Sequence, residues 1–178
     1  MKKTILAISG SLRAGSSNHT ILQYLGGMMP EDVDYTIYDG LASIPAFDPG
    51  LDNDTPPAAV ADLRDKIAAV DAIIICTPEY AFGVPGALKN ALDWTVSSGS
   101  LSGKPLALIT ASTSGQYAHE GMTRILGALD ATMSEAGNLL IPFIRTKIDA
   151  NGNLTDDITE KLRSIFVELI KLIERVVD

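Results

Sequence analysis

The chain contains one cysteine, Cys76, in 178 residues. It therefore closes no intramolecular disulfide and builds no cysteine-based metal cluster, which fits a reducing compartment and makes the cytoplasm the expected location. The two histidines, His19 and His119, lack any metal-ligand spacing, so surface or capping roles are expected of them at least as much as an approach to phosphate or substrate. No apolar run approaches the ~18 residues of a membrane span. Lys2 and Lys3 before Thr4-Ile5-Leu6-Ala7-Ile8 imitate a signal peptide, but the apolar run stops at Ser9-Gly10-Ser11, short of the ~7 to 15 residues a signal needs. Basic residues are scarce as well. Lys and Arg number 14 against 22 Asp and Glu, a net charge of −8 without a basic cluster, which sets aside nucleic acid and anionic membranes as partners. Internal repeats, low-complexity tracts and dividing linkers are also missing. With 46% hydrophobic and 20% charged residues, the composition is that of a globular protein, and the length predicts one domain over residues 1–178.

What is present is a regular alternation. Ile5 to Ile8, Ala72 to Cys76 and Leu106 to Ile109 are short, continuous apolar runs, the pattern of central parallel strands covered on both faces. Val33 to Tyr38 alternates instead, with Val33, Tyr35 and Ile37 on one side and Asp34 and Thr36 on the other, as an edge strand would. A weaker fifth strand covers Leu139 to Ile141, with an extension through Phe143 to Lys147 after Pro142. Between these runs lie helical patterns. A short one covers Thr20 to Leu25. Thr55 as N-cap with Pro56 at the first position opens another, carrying Val60, Leu63, Ile67 and Val70 on one face and Asp62 and Lys66 at i,i+4. Thr155, Asp156 and Asp157 begin a long helix packed through Ile158, Leu162, Ile165, Phe166, Leu169, Ile173 and Val176. Strands alternating with helices predict an open α/β sandwich with a parallel sheet.

Two loops carry chemistry. Ser9 to Asn18 follows the first strand and precedes a helix; its small residues let backbone N–H groups converge at a helix N-terminus, with hydroxyls and Arg13 adding donors. This is a phosphate cradle, the alternative being a Ser/Gly-rich turn without a ligand. Gly10 and Gly15 have Walker A spacing, but Ser16 stands where that motif needs Lys, and the dinucleotide fingerprint GxGxxG is absent, so a terminal monophosphate suits the loop better than a pyrophosphate. The second loop, residues 77 to 94, follows the third strand. Within and beside these loops, Cys76 reads as a buried structural thiol, Lys89 and Asp93 as a solvated i,i+4 pair, and Trp94 as a packing residue.

GSLRAGSSN at residues 10–18 together with PEYAFGVPGALKNALDW at residues 78–94 resembles the NADPH-dependent FMN reductase family, the flavodoxin-like NAD(P)H:quinone, azo and chromate reductases. The resemblance implies a flavodoxin-like three-layer α/β/α sandwich on a five-stranded parallel sheet of order 2-1-3-4-5. It implies FMN as cofactor and NAD(P)H as co-substrate, with electrons passed to quinones or similar small acceptors, and a homodimer or homotetramer. It places the FMN phosphate on Ser11, Arg13, Ser16, Ser17 and Asn18, with Leu12 in the same cofactor-binding loop, the isoalloxazine beside Pro78, Glu79, Tyr80 and Ala81, and a third loop of Ser112, Thr113, Ser114 and Gly115 against the ring. That agrees with ligand binding at the carboxyl ends of strands beside a topological switch point. Two departures touch the ring side: the family usually has Asn where this chain has Ala81, and its glycine-rich third loop is replaced by Gln116-Tyr117-Ala118-His119-Glu120-Gly121. The flavin carries the redox chemistry, so no catalytic side chain is assigned. A flavodoxin-type electron carrier that does not itself oxidise NAD(P)H is the alternative, and a phosphate-sugar or nucleotide module without redox activity a third reading.

Asp149, Asn151, Asn153, Thr155, Asp157 and Glu160 occupy the ligand positions of an EF-hand loop, yet Leu154 stands where its sharp turn needs Gly, so no metal site is read there. Thermal melts recorded with calcium and with chelator are expected to coincide; a calcium-dependent rise in Tm would restore the site.

Overall fold

Side chains alternate across a strand, so a strand that is apolar at every position must be covered on both faces. The computed structural model, which describes residues 2–177, shows this arrangement. β1 (Lys3–Ser9), β3 (Ala72–Thr77) and β4 (Leu106–Ala111) form the middle of a five-stranded, wholly parallel sheet of order β2-β1-β3-β4-β5, with β2 (Val33–Tyr38) and β5 (Asn138–Ile141) at its edges. Helices α1 (Ser17–Gly27) and α5 (Asp156–Val177) cover one face, packing on Ile5, Ala7, Ile74, Cys76, Ala107 and Ile109. Helices α2 (Ala58–Ala69), α3 (Gly86–Asp93) and α4 (Gln116–Ala128) cover the other, over Leu6, Ile8, Ile73, Ile75 and Leu108. Each fully buried Ile or Leu contributes about 1.5–3 kcal/mol of burial, so the two faces hold the layers together. This is the expected α/β/α sandwich. At β2 the predicted alternation is also found: Asp34 and Thr36 are exposed, while the Tyr35 hydroxyl donates to the Leu22 carbonyl at 2.9 Å. No helix among the described residues is long and apolar enough to cross a membrane.

Four expectations change. α1 is longer than Thr20 to Leu25, because Ser16 caps it four residues upstream. Thr55 does not cap α2; that helix begins at Ala58, after Pro57, since a proline disfavours the helical region for the residue before it and Pro56 is so restricted. The extension of β5 is replaced by a 3₁₀ turn at Ile144–Lys147, entered through Phe143 in the left-handed region at φ 54°. Along α5, Ile158, Leu162, Ile165, Leu169 and Ile173 are buried as expected, whereas Val176 lies exposed near the helix end. Asp149 is engaged within its own loop, accepting from the N–H groups of Asn151 and Asn153 and from Asn153 Nδ2, each at 2.8 Å. The Asn153 hydrogen bonds hold its carboxyl below the usual carboxylate range.

The segment GALKNALDW anchors the long connection between β2 and α2. Asn90 Nδ2 and Trp94 Nε1 both donate to the Pro45 carbonyl, at 2.8 and 2.9 Å, and Asn90 Oδ1 accepts from the Phe47 N–H at 2.8 Å. Trp94 is fully buried and meets the Phe47 ring edge to face, with centroids 5.0 Å apart. Arg64 fastens the far end of the connection, donating to the Trp94 carbonyl and pairing with Asp52 at 2.6 Å. Asn90→Ala is expected to lower the unfolding free energy by about 1–3 kcal/mol through the lost hydrogen bonds, measured by urea denaturation with Trp94 fluorescence as the reporter; an unchanged midpoint would remove this anchor.

Candidate active site

β1 pairs with β2 on one side and β3 on the other, so the connections leaving β1 and β3 diverge and open a crevice at the carboxyl ends of those strands. Loop 10–16 lines it. Gly10 enters with its N–H on the Cys76 carbonyl at 2.8 Å, and a Cβ there would lie 2.4 Å from Thr77 Oγ1, so no larger residue fits. The Arg13 N–H donates to Ser11 Oγ at 3.3 Å, and Gly15 turns the chain at φ 64°. Ser16 is then extended and its Oγ accepts the His19 N–H at 3.2 Å, which makes it the N-cap of α1. The next two N–H groups, of Ser17 and Asn18, have no acceptor among the described residues. They point outward with the positive end of the helix dipole, as an anion site requires.

Asn18 lines the crevice and also holds the fold together. Its side chain is buried, with Nδ2 donating to the Ala111 carbonyl and Oδ1 accepting from Cys76 Sγ, both at 3.2 Å. The amide ties α1 to the ends of β3 and β4, and only its backbone N–H is left for a ligand. Cys76 is the buried structural thiol expected, its pKa pushed up by burial.

The second loop is fixed through Glu79. Its carboxylate accepts the N–H groups of Gly115 at 3.3 Å and Ala118 at 3.0 Å, capping α4 where Gly115, at φ 88°, offers no side chain of its own. The Glu79 N–H in turn donates to Ser112 Oγ at 3.2 Å, joining the second and third loops. Tyr80 and Gly83 exchange backbone hydrogen bonds at 3.0 Å around Ala81 (φ 50°) and Phe82 (φ 59°), the pattern of a two-residue type I′ turn. The turn brings the Tyr80 hydroxyl 3.2 Å from Ser11 Oγ and sets the exposed Phe82 ring edge to face against Tyr117. His119 stays beneath this rim, its Nδ1 2.9 Å from Thr110 Oγ1 and its pKa lowered by burial.

The three loops enclose one cavity of about 250 Å³. Of the residues expected there, Ser11, Arg13, Ser16, Ser17, Asn18, Pro78, Glu79, Tyr80 and Ser112 line it. Leu12 is instead exposed, Ala81 and Gly115 shape turns beside the cavity at positive φ, and Ser114 is exposed outside the lining. Thr113 of the expected third loop lines it too, and Ala111, Ile144 and Arg145 line it without having been expected. Ala111 precedes Ser112 and follows from the same strand end; no sequence motif marks Ile144 and Arg145. The donor set fits FMN: hydroxyls, free helix N–H groups and a guanidinium at one end match a terminal phosphate, and the Pro78–Tyr80 backbone offers a flat flank for a ring.

A crevice of this kind at the switch point of a doubly wound sheet defines a flavodoxin-like nucleotide-binding protein. Residues 3–146 match the family of NADPH-dependent FMN reductases, and the chain belongs to that family. It is 32% identical over 94% of both chains to a 2-hydroxy-1,4-benzoquinone reductase of Burkholderia sp. An NAD(P)H-dependent FMN reductase of Pseudomonas aeruginosa is 34% identical, over 89% of this chain and 88% of its own. The solved structure of FerB, a flavoenzyme NAD(P)H:(acceptor) oxidoreductase from Paracoccus denitrificans, superposes with a TM-score of 0.76 at 30% identity, covering 97% of this chain and 98% of that one. The protein is thus an oxidoreductase that uses FMN and NAD(P)H.

Two consecutive non-glycine residues at positive φ strain the Tyr80–Gly83 turn, by about 1–2 kcal/mol each. Asn tolerates that conformation better than Ala, so Ala81→Asn is expected to raise stability by about 0.5–1 kcal/mol in chemical denaturation. A lower midpoint would show that the turn is not type I′.

Proposed function

We propose that the chain holds FMN in the cavity between its three loops and passes electrons from NAD(P)H to a quinone or a similar small acceptor. The observation that carries this is the convergence of Arg13, three serine hydroxyls and two free N–H groups of α1 on a cavity flanked by the Pro78–Tyr80 segment. Bound FMN supplies the redox chemistry, hydride acceptance from the nicotinamide and electron release to the acceptor. The chain supplies position. Ser11, Arg13, Ser16 and Ser17, with the Asn18 N–H, would hold the phosphate; Pro78, Glu79 and Tyr80 would flank the ring, with Ser112 beneath the second loop. Leu12, Ala81, Ser114 and Gly115 belong to the site as the backbone that gives these loops their shape. Glu79, the one carboxylate in the lining, is engaged by two backbone N–H groups, which supports assigning no acid or base to the reaction.

The same proposal covers residues 1–178 as one FMN-binding domain acting as a homodimer or homotetramer on small-molecule acceptors. The single buried thiol supports a cytoplasmic location. The relatives named for quinone and FMN reduction favour an enzyme over an electron carrier.

Anaerobic mixing of the FMN-loaded protein with NADPH is expected to bleach the flavin absorbance, and a small quinone to restore it, with parallel double-reciprocal lines because donor and acceptor use one open face in turn. Arg13→Ala is expected to weaken FMN about 10- to 150-fold, the equivalent of a charge-assisted hydrogen bond of about 1.5–3 kcal/mol, and to leave riboflavin binding unchanged. If the flavin stays oxidised with both NADH and NADPH but is reduced by a separate reductase, the chain is a carrier.

A further inference from the structure

The cavity contains a second guanidinium. Arg145 lines it together with Arg13, Ser17, Asn18 and Ser112. Backbone geometry puts it there. Beyond β5 the chain turns back through Phe143 at φ 54°, the Phe143 N–H donates to the Thr113 carbonyl at 3.0 Å and the Ile144 N–H to the Ser112 carbonyl at 3.1 Å. Ile144 is thereby buried in the α1 and α5 layer, and the next residue is presented to the crevice. Ser112 follows Ala111, whose carbonyl accepts from Asn18 Nδ2. Two hydrogen bonds therefore connect the first turn of α1 to the residue preceding Arg145.

The local charge is equally specific. Against two arginines the lining has one carboxylate, Glu79, already engaged by two N–H groups. Among the described residues neither Arg13 nor Arg145 forms an ion pair, and the Arg145 side chain makes no hydrogen bond. Two cations beside the positive end of a helix, in a chain of net charge −8, match an anion carrying more than one charge, such as a phosphate monoester.

We infer that Arg145 is a second phosphate-holding residue of the FMN site, closing on the phosphate from the β5 side of α1 while Arg13 closes from the β1 side. This rests on the proposal that the cavity binds FMN. Arg145 acts by charge and position and takes no part in the redox step.

The test is a titration of apoprotein with FMN and with riboflavin, followed by flavin fluorescence, for the native chain, Arg13→Ala, Arg145→Gln and Arg145→Lys. Arg145→Gln is expected to weaken FMN about 10-fold and to leave riboflavin unaffected, with partial recovery in Arg145→Lys. The loss should shrink as salt is added, because the side chain is exposed. Apoprotein melts of the native chain and Arg145→Gln should coincide, which separates lost binding from lost folding. An equal loss for FMN and riboflavin would place Arg145 against the ring and overturn the inference. Unchanged FMN affinity in Arg145→Gln, with a loss in Arg13→Ala, would overturn it while leaving the FMN site standing. No effect of either substitution would remove the FMN site itself.

Discussion

The site depends on one buried amide. Asn18 is closed off from water, so each polar atom of its side chain must find a partner, at a cost of about 1–3 kcal/mol for one left unmade. It finds them on two different strands, the Ala111 carbonyl at the end of β4 and the Cys76 thiol at the end of β3. Because Asn18 is the second residue of α1, satisfying it fixes where that helix begins relative to the sheet. The Ser16 cap and the free N–H groups of Ser17 and Asn18 are therefore held by the sheet and not by the loop alone. The cysteine has its explanation here too: a small apolar residue with a weak donor fits beneath the amide, and burial keeps it a thiol.

From that point the three loops are chained to one another. Tyr80 reaches Ser11, Glu79 reaches Gly115 and Ala118, and Ser112 receives Glu79 and is bonded through its carbonyl to Ile144. Loops at strand ends are ordinarily the mobile part of a fold; here side chains of one loop satisfy backbone groups of the next, which preorganises the cavity. Glu79 shows the logic well. A lone carboxylate facing a phosphate would repel it, but turned onto two N–H groups at the start of α4 it stabilises that helix end and leaves the cationic lining unopposed.

Much of this is legible in the linear sequence, for identifiable reasons. β1, β3 and β4 announce themselves because parallel strands buried on both faces are apolar throughout, and the first two loops are contiguous stretches with their own chemistry. Thr55 misleads because N-cap preference is local while Pro56-Pro57 delays the helix. Phe143 to Lys147 imitates a strand by composition, and only the left-handed turn at Phe143, a conformation its ring does not favour, breaks the pattern. Arg145 is invisible for the same reason: its relevance comes from a hydrogen-bond path through Ser112 and Ala111 to α1, and nothing within its own segment records that neighbour. The bonds of Asn18 and Glu79 are hidden similarly, since each residue type also suits direct contact with a ligand.

The Tyr80–Gly83 turn shows how strain and order balance at the mouth of the cavity. An Asn-Gly pair would adopt two positive φ angles at little cost, whereas Ala81 and Phe82 do so against side-chain sterics. Three interactions oppose that cost: the reciprocal Tyr80–Gly83 bonds, the Tyr80 hydroxyl on Ser11, and the edge-to-face contact of Phe82 with Tyr117, of a kind worth about 0.5–1.5 kcal/mol. Glycine at 82 would relax the backbone but delete the ring, and with it the aromatic link that supplements Glu79 between the second loop and the first turn of α4. Tyr117 itself stands in the first turn of α4, within the 116–121 stretch that takes the place of the family's glycine-rich loop, whereas Ala81 shapes the turn beside Phe82 and takes no part in the aromatic contact. Phe82 thus couples the strained Tyr80–Gly83 turn to the start of α4, and the ring that costs the turn its relaxed backbone is the one that fastens it to the helix.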